Sequence, residues 1–276
     1  MQLVTAGRSA VPDSPRHQRV DLAEDDPAEI AAMLTEVAPD VVVNCAGATV
    51  GGPEVMAAVN VNGTYALVRA MFLAAIPARL VHLGSAAEYG RAEPGVPVTE
   101  RAAPRPAGVY GVTKLAGTRL VELAASAGLD AVVLRVFNPV GSGAPDSSLP
   151  GRLAGELRRA QAHGTEVRLG PLDTVRDFID ARDVAAAGLA AAAVPVLPHP
   201  VLNVGSGQGV PVRAMVTELL AASGWTGTVH EDAPDMARSA DIPWQQADIT
   251  WATEDLDWKP RRDLAASIAD LWEASL

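Results

Sequence analysis

Arg79-Leu-Val-His-Leu-Gly-Ser85 runs into Ala86-Ala-Glu-Tyr-Gly90, and Tyr110-Gly-Val-Thr-Lys114 opens the next apolar-periodic stretch. The first run is short, apolar and non-alternating from Arg79 to Leu83. That is the pattern of a strand buried on both faces of a parallel sheet. The stretch from Tyr110 to about Ser126, stopped by Gly128, reads as a helix. Comparable runs lie at Asp40-Val-Val-Val-Asn-Cys45, Ala131-Val-Val-Leu-Arg-Val136 and Val201-Leu-Asn-Val204. Between the early runs, Asp26 has the position of a helix cap, with Pro27 first in the helix and Glu29 close behind. Ile30, Met33, Leu34 and Val37 then follow at helical spacing, and another helix is expected from about Pro53 into Phe72. Strand–helix alternation of this kind predicts a doubly wound parallel α/β sheet.

The same stretch carries chemistry. Tyr110 and Lys114 stand one turn apart on one helix face. An unperturbed phenol titrates near ~10. An ammonium held beside it favours the phenolate and brings proton exchange toward neutral pH. Ser85, placed after a buried strand, offers a hydroxyl to the same substrate oxygen. The three groups suit reversible carbonyl reduction with hydride supplied by a nicotinamide. A Tyr-x-x-x-Lys spacing by itself is equally a helix-face Tyr and a surface Lys, so its weight depends on its surroundings.

Composition narrows the classes. The chain has 276 residues, enough for one large domain or two modest ones. Apolar residues make up 49% but aromatics only 4%, so the core is built mostly of Ala, Val and Leu. The formal charge is −11 and no basic stripe occurs, which argues against nucleic acid or an anionic membrane as partner. The single Cys45 excludes an internal disulfide. With no basic, apolar leader after Met1, the expected compartment is the cytoplasm. The uncharged region Val184 to Val212 is broken by Pro195, Pro198 and Pro200 and is too short in its helical part for a membrane span. No His, Cys, Asp or Glu spacing suggests a metal site.

Further segments stand in a particular order: Asp21-Leu22, Val43-Asn-Cys-Ala-Gly47, Val59-Asn-Val-Asn-Gly-Thr64, Leu134-Arg-Val-Phe-Asn138, Arg176-Asp-Phe-Ile-Asp180, Asn203-Val-Gly-Ser-Gly207 and Arg238-Ser-Ala-Asp-Ile-Pro243. Together with Ser85, Tyr110 and Lys114 they resemble the extended short-chain dehydrogenase/reductases, the group of nucleotide-sugar epimerases, dehydratases and reductases. The resemblance implies a Rossmann-like fold and a bound NADP or NAD. Asp21 and Leu22 would lie beside the adenine. Cys45, Ala46, Gly47, Asn60, Leu83 and Phe137 would contact the cofactor with Tyr110 and Lys114. Ser85, Ala86, Glu88, Asn138, Arg176 and Arg238 would face a nucleotide-diphosphate sugar. Dehydratases of this group carry Asp-Glu after the catalytic Ser or Thr. Here Ala86 and Ala87 stand there, so dehydration is not expected. Glu88 before Tyr89-Gly90, with Leu169-Gly-Pro-Leu-Asp173 leading to Arg176, most resembles the 4-keto-6-deoxyhexose reductases. A 4-epimerase and a non-catalytic nucleotide-sugar binder are the alternatives. Relatives commonly pair through the Tyr helix and the helix before it, so a homodimer is expected.

One part of the pattern is missing. The family begins with a strand, a Gly-x-x-Gly-x-x-Gly turn and a helix, the turn letting backbone approach the pyrophosphate. Nothing before Asp21 supplies this. Leu3 to Thr5 reads instead as the family's second strand, and Arg19 to Leu22 as the next. Gly7-Arg8-Ser9 is then the loop at the adenosine ribose, where Arg8 favours a 2′-phosphate and NADP over NAD. Gly205-Ser-Gly-Gln-Gly209 follows a strand and precedes a helix near Pro211, the context of a phosphate loop, although the resemblance assigns it to the substrate lobe. The expected division is a cofactor domain of residues 1–145 and 179–205, and a substrate lobe of 146–178 and 206–276. In strand order 3-2-1-4-5-6 the missing strand is central. Its neighbours would keep unpaired backbone groups, each costing about 1–3 kcal/mol if buried. The expectation is that further sequence, or another segment or chain, fills that place.

Overall fold

The computed structural model describes residues 2–10, 16–232 and 242–274. β1 (Thr5–Gly7) pairs in parallel with β2 (His17–Arg19). Both strands lie two or three residues away from their expected positions. The ladder sets Thr5 opposite His17, whose Nδ1 meets Thr5 Oγ1 at 3.0 Å, and this fixes the register. Asp21 and Leu22 therefore fall in the turn after β2, where Asp21 N donates to Asp25 Oδ2 at 2.7 Å. α1 (Pro27–Val37) starts as expected, with the Asp26 carboxylate accepting from Ala28 N at 2.7 Å. It leads to β3 (Val41–Asn44). α2 (Gly52–Ala57) passes through a π-helical turn at Ala58–Gly63 into α3 (Thr64–Ala74). β4 (Arg79–Ser85), α4 (Val109–Ser126) and β5 (Ala131–Val136) complete the unit that the opening stretch predicted.

The chain then alternates between the sheet and a second cluster of elements. β6 (Asn138–Val140), α5 (Leu149–His163), β7 (Val167–Arg168), β8 (Val175–Arg176) and β9 (Phe178–Asp180) come first. α6 (Ala181–Ala193) and β10 (Val201–Val204) return to the sheet. β11 (Val210–Pro211), α7 (Val212–Ser223), β12 (Val229–His230), α8 (Thr250–Leu256) and α9 (Leu264–Glu273) follow.

The main sheet is parallel, in the order β10-β5-β4-β3. Its two faces are covered differently. α1, α3 and α4 bury Ile30, Leu34, Leu67 and Met71 against Leu80 and Val133 on one side. On the other, α6, α8 and the segment after α8 bury Ala187, Ala252 and Trp258 against Val81, Leu134 and Leu202. α8 thus packs on the sheet although it lies in the stretch expected to form the lobe. A separate apolar cluster joins α5, α7 and α9 through Leu153, Leu157, Met215, Leu219, Ile268 and Leu271. The Ala- and Val-rich composition is legible here, since small side chains let helices lie close to the strands.

The sheet is interrupted at the place the sequence indicates. Among the described residues, β1 and β2 form no ladder with the four-stranded sheet, and β3 pairs only with β4. Val43, in a strand that reads as doubly buried, is 47% exposed as a consequence.

Candidate active site

β4 delivers Ser85 to its carboxyl end in extended backbone (φ −147°, ψ 143°). There Ser85 caps a single 3₁₀ turn over Ala86–Glu88, its Oγ accepting from Ala87 N at 3.2 Å. The Glu88 carboxylate returns to accept from Ser85 N at 2.8 Å, so both ends of the turn are tied. The first turn of α4 rests directly on this loop. A Cβ on Gly111 would lie 2.4 Å from the Ala87 carbonyl oxygen, which only glycine avoids. Tyr110, the residue before that glycine, is therefore held beside the Ser85 turn. One turn on, Lys114 is 6% exposed and donates from Nζ to the Leu83 carbonyl at 2.5 Å. The Leu83 carbonyl bond and the Gly111 contact thus hold the first turns of α4 against the end of β4 that carries Ser85.

Burial lowers the Lys114 pKa; Glu88 and then Cys45 oppose that shift. Tyr89 is a useful contrast. It is buried, its hydroxyl donates to Asn203 Oδ1 at 2.7 Å, and burial pushes its pKa up to about 12. Tyr110, by comparison, is only half-buried.

The turn after β3 lies alongside. Cys45, Ala46 and Gly47 are exposed, and a Cβ on Gly47 would stand 3.9 Å from Lys114 Nζ. Asn44 Oδ1 holds Ala46 N at 3.1 Å, and Asn60 clasps Ala48 through its backbone N and O at 2.8 and 3.0 Å. An exposed turn next to a buried ammonium fits the nicotinamide ribose end of a dinucleotide. Arg8 is exposed just beyond β1, and Asp21 and Leu22 follow β2.

Several expected contacts need correction. Asn60 is 3% exposed, with its amide spent on Ala48 and Thr113, so it braces the cofactor turn. Phe137 is 1% exposed and packs near Tyr89, leaving its side chain no face toward a ligand. Ala86 is buried, with its carbonyl accepting from Gln245 Nε2 at 2.8 Å. Glu88 has no exposed surface, and its oxygens are taken by Ser85, Thr118 and Arg135. Asn138 donates from both N and Nδ2 to the Asp177 carbonyl at 3.0 Å, as a satisfied turn residue does. Arg176 is 4% exposed and donates from Nη1 to the Val175 carbonyl at 2.8 Å. Arg238 lies outside the described residues.

The Gly205–Gly209 loop is not a phosphate cradle in this arrangement. The Asp177 carboxylate already accepts from Ser206 N, Ser206 Oγ, Gly207 N and Ala247 N. An internal anion occupies the amides that a phosphate would need. Arg135, Thr118 and Asn203 escaped the sequence reading. The available signal was an Arg within an apolar strand and a Thr one turn beyond Lys114.

His82, on β4 behind this site, is 1% exposed and meets Asn44 Nδ2 through Nδ1 at 3.0 Å. Burial, then the charge of Lys114, lowers its pKa from 6.5 to about 3. The unfolded chain therefore binds a proton that the folded chain refuses between these values. Stability is lost as pH falls through that window, by up to ~1.4 kcal/mol per unit. Replacing His82 by Gln removes this component. Urea unfolding at several pH values between those limits should show a shallower acid loss in the variant. Equal slopes would show that His82 does not contribute.

No helix among the described residues is long and apolar enough to cross a membrane, and no group of three metal-ligating side chains occurs among them. A parallel α/β sheet with helices on both faces defines a Rossmann-type fold. The chain belongs to the NAD dependent epimerase/dehydratase family, whose profile matches residues 2–205. It is 42% identical over 270 residues, 96% of this chain and 84% of the relative, to dTDP-6-deoxy-L-talose 4-dehydrogenase (NAD(P)(+)) of Kitasatospora kifunensis. It is 31% identical over 220 residues to GDP-6-deoxy-D-mannose reductase of Pseudomonas aeruginosa, spanning 75% of this chain and 69% of that one. Among solved structures, MoeE5 in complex with UDP-glucuronic acid and NAD superposes with a TM-score of 0.84 at 28% identity, over 99% of this chain and 90% of that one.

Proposed function

We propose that this chain reduces the 4-keto group of a nucleotide-linked 6-deoxyhexose, using NADP or NAD. The observation that carries the reading is the contact of the Ser85 turn with the Tyr110–Lys114 helix at Gly111. The names of two relatives support it, one a 4-dehydrogenase and one a reductase of 6-deoxy sugars. When bound, the nicotinamide supplies hydride to the keto carbon. Tyr110 gives its phenolic proton to the keto oxygen, and Ser85 orients that oxygen by a hydrogen bond. Lys114 holds the nicotinamide ribose and lowers the cost of the phenolate left behind. Ala86 and Ala87 offer no acid or base for dehydration. Exposed Arg8 supports NADP as the donor, through paired bonds to a 2′-phosphate. The cytoplasm remains the expected compartment.

The residues at the nicotinamide end fit such a cofactor. Among the described residues we identify no glycine turn for its pyrophosphate, and β3 has an open edge there. Whether this polypeptide binds NADPH is therefore the first measurement. Calorimetry, followed by absorbance of NADPH with a dTDP- or GDP-linked 4-keto-6-deoxyhexose, tests the reading. Stoichiometric NADPH loss with formation of the 4-hydroxy sugar supports reduction. Conversion of a UDP-hexose to its 4-epimer without net NAD(H) change supports the second reading, which a UDP-glucose 4-epimerase of Streptomyces lividans, 35% identical over 191 residues, favours. Binding of a nucleotide diphosphate without NADPH would mark a non-catalytic binder.

We also propose a homodimer. Tyr65, Phe72 and Leu73 on α3, with Val112 and Leu123 on α4, expose apolar surface on two adjacent helices. A second copy would cover both helices. Leu123→Glu should weaken a dimer by about 2 kcal/mol, roughly thirtyfold in Kd, if the residue is central. Sedimentation equilibrium of both proteins reads this directly. A wild-type monomer at all concentrations would remove the proposal.

A further inference from the structure

Glu88 is among the most enclosed charged groups of the described residues, and two of its bonds lead toward the proposed catalytic side chains. Oε1 accepts from Ser85 N at 2.8 Å and from Thr118 Oγ1 at 3.0 Å. Oε2 accepts from Arg135 Nε at 2.8 Å. Thr118 lies one turn beyond Lys114 on the same face of α4. On β4, Oε1 would be 2.8 Å from a Cβ on Gly84, the residue after Leu83, whose carbonyl receives Lys114 Nζ. The carboxylate therefore sits behind the strand end that Lys114 grips. Arg135 is fixed in turn, its Nη1 donating to Tyr89 Oη at 3.1 Å, and Tyr89 donating to Asn203.

The structure assigns Glu88 a positioning role: its carboxylate fixes the Ser85 backbone and serves as counter-charge to Lys114, and it touches no substrate. This rests on the reductive reading of the Ser85–Tyr110–Lys114 site. The charged and titratable groups facing Lys114 are Glu88 from the 3₁₀ turn, Cys45 from the β3 turn and His82 from β4, with Arg135 on β5 behind Glu88. Glu88 is the carboxylate among them. Ser85 fixed at its amide presents its hydroxyl in one direction. A hydroxyl displaced by about 1 Å can cost roughly 10²-fold in rate.

Two variants separate charge from position. Glu88→Gln keeps an acceptor oxygen and removes the charge, whereas Glu88→Asp keeps the charge and withdraws it by one methylene. Circular dichroism first confirms folding. The Lys114 amine is then titrated by NMR of its Nζ in protein without substrate. In Glu88→Gln it should titrate lower than in wild type, and in Glu88→Asp close to the wild-type position. Both variants should lower kcat by about tenfold to 10²-fold while KM for the nucleotide sugar stays within about threefold. Unchanged Lys114 titration in a folded Glu88→Gln protein overturns the counter-charge role. If that variant does not fold, Glu88→Asp decides: unaltered kcat, or a rise in KM alone, overturns the positioning role. The titration needs no turnover. A wild-type protein that reduces no 4-keto sugar therefore refutes the functional reading without obscuring the effect of Glu88 on Lys114.

Discussion

Tyr110→Phe should leave the fold intact and lower the reduction rate by ~10²–10⁴. The size follows from what one oxygen does. The aromatic ring remains, so α4 keeps its packing and Gly111 keeps its contact with Ala87. The phenolic proton is lost, and water must protonate the keto oxygen as negative charge develops there. Ser85 can still hydrogen-bond that oxygen, which keeps the residual rate above background. KM should move little, because the hydroxyl acts mainly on the transition state. Steady-state kinetics with NADPH and the keto sugar measure the effect. A loss smaller than a few-fold would assign the proton to another group. Tyr89 is not that group, since its hydroxyl is buried and bonded to Asn203.

Arg135→Met should destabilise the protein by about 3–5 kcal/mol, among the largest single-residue effects available outside the apolar core. The Arg135–Glu88 pair has side chains only 3% and 0% exposed. Forming such a pair from water gains little, because desolvation offsets most of the attraction. Breaking it is different: Glu88 would keep its charge without its hydrogen-bonded guanidinium and without water, leaving only the charge of Lys114 to oppose it. Tyr89 Oη would also lose the donor that Arg135 Nη1 provides. The double variant Arg135→Met with Glu88→Leu should recover much of the loss, since it removes both charges together. Urea unfolding of the wild type and of both variants at one pH measures this. A single variant within about 1 kcal/mol of wild type would show that water reaches Glu88. Activity need not follow stability, because the double variant also removes the tie to Ser85.

Much of this molecule is written in local pattern. Short apolar runs became β3, β4, β5 and β10, and Asp26 capped α1 as its position suggests. The Tyr-x-x-x-Lys spacing placed two side chains on one face of α4, because helix geometry alone dictates that. Even the interruption of the sheet is legible, as an absent glycine turn before Asp21 and an exposed Val43 after it. The register of β1 against β2 was not. Three-residue strands have too little period to fix their own ends, and the Thr5–His17 contact decides.

The roles of the polar residues divide in the same way. Sequence determined which residue types stand at the strand ends, and therefore the family and the trio we propose as catalytic. Only tertiary structure decided which of them face outward. Glu88, Asn60 and Asn138 had the composition of ligand contacts, yet each also spends hydrogen bonds on partners distant in sequence: Arg135 and Thr118, Ala48 and Thr113, Asp177. A side chain's identity sets what it can bind. Whether that capacity is left for a ligand depends on which distant groups the fold brings within about 3 Å of it, and no local pattern records that.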